Sequence, residues 1–107
     1  FAAIKLPPTS IAMVADHIEH IRNVAGIDHV GIGGDFDGND WWPEGLDDVS
    51  KYPLLFAELI RRGWSDQDLK KLAGENLLRA WAKTEEVSAR LKRERNPSTM
   101  VYTVPKS

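Results

Sequence analysis

Apolar residues recur at helical spacing in three stretches of the chain. Ile11, Val14, Ile18, Ile21 and Ala25 form one stripe, with Thr9 or Ser10 placed to cap it and Gly26 placed to stop it. Asp16, His17, Glu19, His20 and Arg22 fall on the opposite face. A second helix is predicted from a cap at Ser50 to about Arg62, with Leu55, Leu59 and Ile60 as its apolar face and Phe56 flanking. Pro53 is tolerated in its first turn. Gly63 ends it, and Trp64 is expected to fold back over that end. Ser65-Asp66-Gln67-Asp68 has capping-box spacing, with Asp in place of Glu or Gln, and opens a short helix to about Leu72. Gly74 breaks the pattern. A last helix is predicted over 75–95, anchored by Leu77, Leu78, Trp81 and Val87.

Between the first two helices the pattern changes. Ile27 to Phe36 is β-branched and rich in glycine, and predicts a strand from about His29 to Gly34. Alternation puts Val30 and Ile32 on one face and Gly31, Gly33 and Asp35 on the other. A strand flanked by helices is the rhythm of a parallel α/β sheet. Asp37 to Leu46 is a loop with dense turn chemistry, holding Trp41 and Trp42. Residues 1–8, with Pro7 and Pro8, read as a linker, and residues 96–107 as a loose tail. The segment between them, 9–95, is the domain portion.

Composition narrows the function. The chain has 107 residues and a net charge of −2, with no cysteine. A disulfide framework and Cys-ligated metal are therefore excluded, although the compartment is not fixed by this. No dense basic patch offers itself to nucleic acid, and the basic run 89–95 suits a solvated helix end. No apolar run approaches the ~20 residues of a membrane span. The chain does not begin with Met and is read as part of a longer protein. It is too short for a whole (β/α)₈ barrel, which takes about 250 residues.

Asp35 is the leading candidate for chemistry. It ends the predicted strand, where barrels and open α/β sheets carry their active sites. A carboxylate there is placed for proton transfer or metal contact; the alternative is a cap of the following turn. Asp37 reads first as a turn former, then as a partner of Asp35 or a ligand. Asp35, Asp37 and Asn39 fit the first, third and fifth positions of a calcium loop, but Asp40 stands where glycine is needed and Leu46 where the bidentate Glu belongs. The dinucleotide fingerprint fails because Phe36 takes the third glycine's place. His17 and His20 lie three apart on a polar helix face without a third ligand, and His29 lies at the strand's start. The chain alone shows no metal cage. Asn76 is placed to hold a loop or cap the last helix. Trp41 and Trp42 are either a pocket wall or packing.

Asp16-His17-Ile18-Glu19-His20-Ile21, then the run from Gly26 through Gly33-Gly34-Asp35-Phe36-Asp37-Gly38, resembles the membrane (renal) dipeptidase family. So do Pro43-Glu44-Gly45-Leu46, Asp48 to Pro53, Leu59 to Trp64 and Gly74-Glu75-Asn76-Leu77-Leu78-Arg79. The resemblance covers roughly residues 10–82 and is closer to bacterial relatives. It implies a zinc metallopeptidase that splits dipeptides, built as a (β/α)₈ barrel and commonly dimeric. Two zinc ions would be held by His, Asp and Glu from earlier strands, so no metal ligand falls in this chain. This chain would supply the C-terminal portion of the barrel, with the last strand and several helices. The family's acidic residue falls on Asp35, which would move a proton from the attacking water to the leaving amine. Gly33 and Gly34 would allow close backbone approach, and Gly34 and Asp37 would face the substrate. The isolated chain, without the remainder of the barrel, is expected to be inactive. The sequence departs from the family at Asn39, Asp40, Trp41 and Trp42, which shape the pocket. Two rivals remain at this point: a non-catalytic binding protein of the same fold, and a small helical interaction module.

Overall fold

The computed structural model describes residues 7–105, so most of the expected linker and the last two residues of the expected tail lie outside the described residues. The chain divides into two compact units, Phe1–Leu77 and Leu78–Ser107.

The first unit begins with helix α1, Ile11–Ala25. Ser10 supplies the cap, its hydroxyl accepting the Met13 N–H at 3.3 Å. Gly26 stops the helix at φ 92°, a conformation that favours glycine, and its N–H closes on the Arg22 carbonyl at 2.8 Å. A 3₁₀ turn, Ile27–His29, follows. Val30 is then extended, with φ −124° and ψ 142°.

The strand expected from His29 to Gly34 is not formed. No strand occurs among the described residues; the one isolated bridge joins Ser10 and Glu44 in parallel sense. His29 belongs to the preceding turn. The reason is physical: a strand is defined by ladder bonds to a neighbour, and the sequence offers no second strand. The alternation nonetheless survives. Val30 is buried and Ile32 packs on the core, while Gly31 and Gly33 are exposed and open on their Cβ sides.

Helix α2, Tyr52–Arg61, is preceded by a 3₁₀ turn, Val49–Lys51. Its entry is capped by Asp48, whose carboxylate accepts the Ser50 N–H at 2.7 Å. Ser50 is thus the capped residue and not the cap, because the chain tightens one turn before α2 starts. Pro53 sits in the first turn. The C-terminal end is a Schellman motif: Trp64 N–H reaches the Leu59 carbonyl at 3.1 Å, and Gly63 N–H reaches Ile60 at 2.9 Å. Gly63 has φ 92°, and Trp64 folds back and is buried. Ser65 caps the short helix α3, Asp66–Lys70, by accepting the Asp68 N–H at 3.2 Å. The Asp68 carboxylate turns instead to Arg22 of α1. A widened turn, Lys71–Glu75, breaks helical geometry at Gly74 and leads into helix α4, Asn76–Glu94.

The core consists of Ala15, Ile18, Val30, Leu46, Leu55, Leu59, Trp64, Leu69 and Leu72. Leu55, Leu59 and Leu72 are fully buried, each worth ~1.5–3 kcal/mol relative to exposure. The expected stripes are off at their edges. Ile21, Ala25 and Ile60 are exposed, whereas Ala15 is buried. On α1 the covered face runs from Ile11 through Val14, Ala15 and Ile18 to Arg22, a 3.6-residue track that leaves Ile21 behind. Arg22 continues it by lying 4.4 Å over the Trp64 ring.

The polar face of α1 is not merely solvated. Arg62 donates to Asp16, to Glu19 and to Glu58, at 2.7, 2.7 and 2.8 Å, and to the Ala12 carbonyl at 3.0 Å. Trp64 Nε1 donates to Glu19 at 3.3 Å. These contacts bind the start of α1 to the end of α2.

In the second unit α4 continues with Val87, Ser88 and Leu91 half-buried. A shallow groove of about 390 Å³ lies along it, lined by Thr84, Val87, Leu91, Arg95 and Pro97 among others. Arg90 pairs with Glu94 at 3.4 Å near the helix end. Leu78 and Trp81, expected as anchors, are exposed, as is Leu77 in the first unit. No apolar side chain of their own unit covers them in the way that Leu59 is covered. Beyond the helix, residues 95–105 have no regular structure and are exposed.

Candidate active site

The extended segment after Val30 delivers Asp35 to a tight turn. Gly38 N–H donates to the Asp35 carbonyl at 3.2 Å, closing the turn over Asp35-Phe36-Asp37-Gly38. Asp35 has φ 46°, the one non-glycine residue with positive φ among the described residues. Aspartate visits this left-handed region more readily than most residues, at a cost of ~1–2 kcal/mol. Its side chain is exposed, and no hydrogen bond or ion pair engages its carboxylate among the described residues. What the carboxylate touches is Gly38: a Cβ added there would lie 2.5 Å from Asp35 Oδ1.

Gly34, immediately before Asp35, is crowded by the protein itself. A Cβ there would meet the Phe36 ring at 2.5 Å and the Tyr52 hydroxyl at 2.6 Å. Phe36 and Tyr52 pack edge to face, ring centres 5.6 Å apart. Gly33 has open space on its Cβ side, so the two glycines play different parts. Asp37 occupies the third position of the turn and is exposed.

The following loop is shaped by Asn39. Its amide donates to the Trp41 carbonyl at 2.6 Å and accepts the Trp41 N–H at 3.3 Å. Trp41 projects outward, 77% exposed. Trp42 is less so and joins Ile32, Gly34, Phe36, Tyr52 and Leu55 around a cavity of about 190 Å³. Gly33 lines it as well, so the cavity runs along the extended segment just before Asp35.

Asn76 supports the segment from beneath. It is buried, and its amide donates to the Ile27 carbonyl at 2.6 Å and the Val30 carbonyl at 2.9 Å. Of the two roles open to it from sequence, it holds the loop. Those two carbonyls flank the start of the extended segment, where no ladder partner satisfies them.

No group of three or more His, Asp or Glu residues that could hold a metal ion occurs among the described residues. His17 and His20 are exposed on α1. No helix among the described residues is long and apolar enough to cross a membrane.

Two further residues belong to this site: Gly38 and Tyr52. Gly38 read from sequence only as half of an Asp-Gly turn. Tyr52 carried no signal beyond its place in a shared block, because its contact with Gly34 depends on how α2 approaches the loop.

Asp35 is thus an exposed carboxylate on a tight turn that follows an extended, glycine-rich segment. Comparison with known proteins gives the family of the chain. Residues 4–95 match the family described as membrane dipeptidase (peptidase family M19). The chain is 49% identical over 78 residues to dipeptidase 3 of Rattus norvegicus, covering 73% of this chain and 16% of that protein. It is 51% identical over 83 residues to dipeptidase verJ of Clonostachys rogersoniana, covering 78% of this chain and 21% of that protein. The chain belongs to the membrane dipeptidase family. It spans about a sixth to a fifth of the length of these relatives. The family is generally metal-dependent, and the residues described here do not by themselves form a metal site.

Proposed function

We propose that this chain is the closing segment, residues 9–95, of a (β/α)₈ barrel that hydrolyses dipeptides. The Gly31–Asp35 stretch takes the place of the last strand. Zinc, if held as the family resemblance implies, is bound by residues outside this chain.

Asp35 is the proton-transferring residue. Its carboxylate accepts a proton from the attacking water as the water oxygen bonds to the peptide carbonyl carbon. It returns that proton to the amine nitrogen as the C–N bond breaks. A carboxylate positioned for both transfers contributes typically ~10²–10⁴-fold to rate. Gly34 and Asp37, on either side, present main chain to the substrate. The observation that carries this reading is an exposed Asp35 on the open face of an extended segment, in a chain half identical to two dipeptidases.

The test uses the complete protein and a panel of dipeptides and tripeptides, with release of free amino acids as the readout. Dipeptide cleavage by the complete protein, and none by residues 1–107 alone supplied with zinc, is the expected result. No cleavage by the complete protein, or cleavage by the segment alone, would overturn it.

A further inference from the structure

The contact between Asp35 and Gly38 assigns a role to a residue that carries no chemistry. We infer that Gly38 is a positioning residue for the Asp35 carboxylate, and that its missing side chain is what lets the carboxylate lie where it does. The inference rests on the reading of Asp35 as the proton-transferring group.

Three observations converge. A Cβ on Gly38 would stand 2.5 Å from Asp35 Oδ1, 3.3 Å from Cγ and 3.4 Å from Oδ2, so the carboxylate lies against the space that a side chain at 38 would fill. No hydrogen bond or ion pair holds that carboxylate among the described residues, so the space left by the missing Gly38 side chain is the one close neighbour the structure gives it. The backbone of Asp35 is fixed at φ 46° by the turn that Gly38 N–H closes, which limits where the side chain can swing. Gly38 does not itself require glycine for its backbone, since its φ is not in the left-handed region. The demand for glycine comes from the carboxylate.

An alanine at 38 pushes the carboxylate by roughly an ångström, a displacement that costs up to ~10²-fold in rate when the group takes part in the reaction. The experiment is a double-substitution cycle in the complete enzyme: Gly38→Ala, Asp35→Ala and the pair, with Gly74→Ala as the control for a generic glycine change. A Cβ at Gly74 meets nothing within 4 Å. Expected are a roughly 10- to 100-fold fall in kcat for Gly38→Ala with KM nearly unchanged, an altered pH–rate profile, and an unchanged kcat for Gly74→Ala. In the Asp35→Ala background, Gly38→Ala should cost nothing further, because the atom it displaces is gone. An equal cost in both backgrounds, or an unaltered kcat for Gly38→Ala beside an inactive Asp35→Ala, would overturn the positioning role alone. Full activity of Asp35→Ala would overturn the reading of Asp35 on which it rests, and this role with it.

Discussion

Two stretches of the first unit are built on opposite terms. The helices α1, α2 and α3 close on one another: Leu55 and Leu59 are fully buried, Trp64 is folded under Arg22, and Arg62 ties three carboxylates together. The segment from Gly31 to Trp42 closes on little. Gly31 and Gly33 look into open space, Asp35 and Asp37 are exposed, and Trp41 stands away from the surface. The helical stretch contains the partners it needs. The extended stretch has the sequence of a strand without a sheet; the Asn76 amide holds the carbonyls of Ile27 and Val30 just before it, and Ile32 and Phe36 pack it on the core and on Tyr52. Self-sufficient packing and an extended, glycine-rich edge stand side by side in one unit.

Substitutions can break this contrast at either end. Leu59→Ala removes a fully buried side chain from the closed region and should cost about 2–5 kcal/mol, read as a lowered denaturation midpoint of the complete protein. An effect below that range would mean the helical region is less closed than its burial indicates. Asn76→Ala strips the attachment of the open segment and leaves two inward carbonyls unpaired, at about 1–3 kcal/mol by the same measurement. It should also raise amide exchange at residues 30–35 ahead of the rest, whereas uniform exchange would erase the distinction between the two stretches.

The smallest effect is electrostatic. Arg61, and then Arg62, hold the Glu58 carboxyl at about 2, well below its ordinary 4.5. The folded form therefore stays ionised where the unfolded chain takes up a proton. The stabilisation is complete above about pH 4.5 and is lost as pH falls toward 2. Because these groups meet solvent, the slope should be shallow, and Glu58→Gln should flatten it. Melting temperature against pH is the measurement, and an identical slope in the variant would remove Glu58 from the acid response.

The same contrast explains what the sequence discloses. Ser10, Gly26, the Gly63-Trp64 pair and Ser65 are legible as helix ends because capping is local chemistry, satisfied within a few residues. The edges of the stripes are less so: choosing Ile21 over Ala15 follows apolarity, whereas burial follows where α2 lies. The strand fails altogether: alternation is local and legible, but a ladder needs a second strand, and none forms among the described residues. Asp35 is singled out by alternation together with its place at the end of the predicted strand, and the structure puts it exposed on a turn at φ 46°. Its hold on Gly38 is invisible in sequence, because it depends on a positive φ and the reach of one side chain.

The central claim is that Asp35 moves the proton. Asp35→Asn in the complete enzyme, with kcat for dipeptide cleavage and bound metal measured on the same preparation, tests it most directly. The account predicts a fall in kcat of ~10²–10⁴-fold with metal content intact. An unchanged kcat at intact metal content would contradict it.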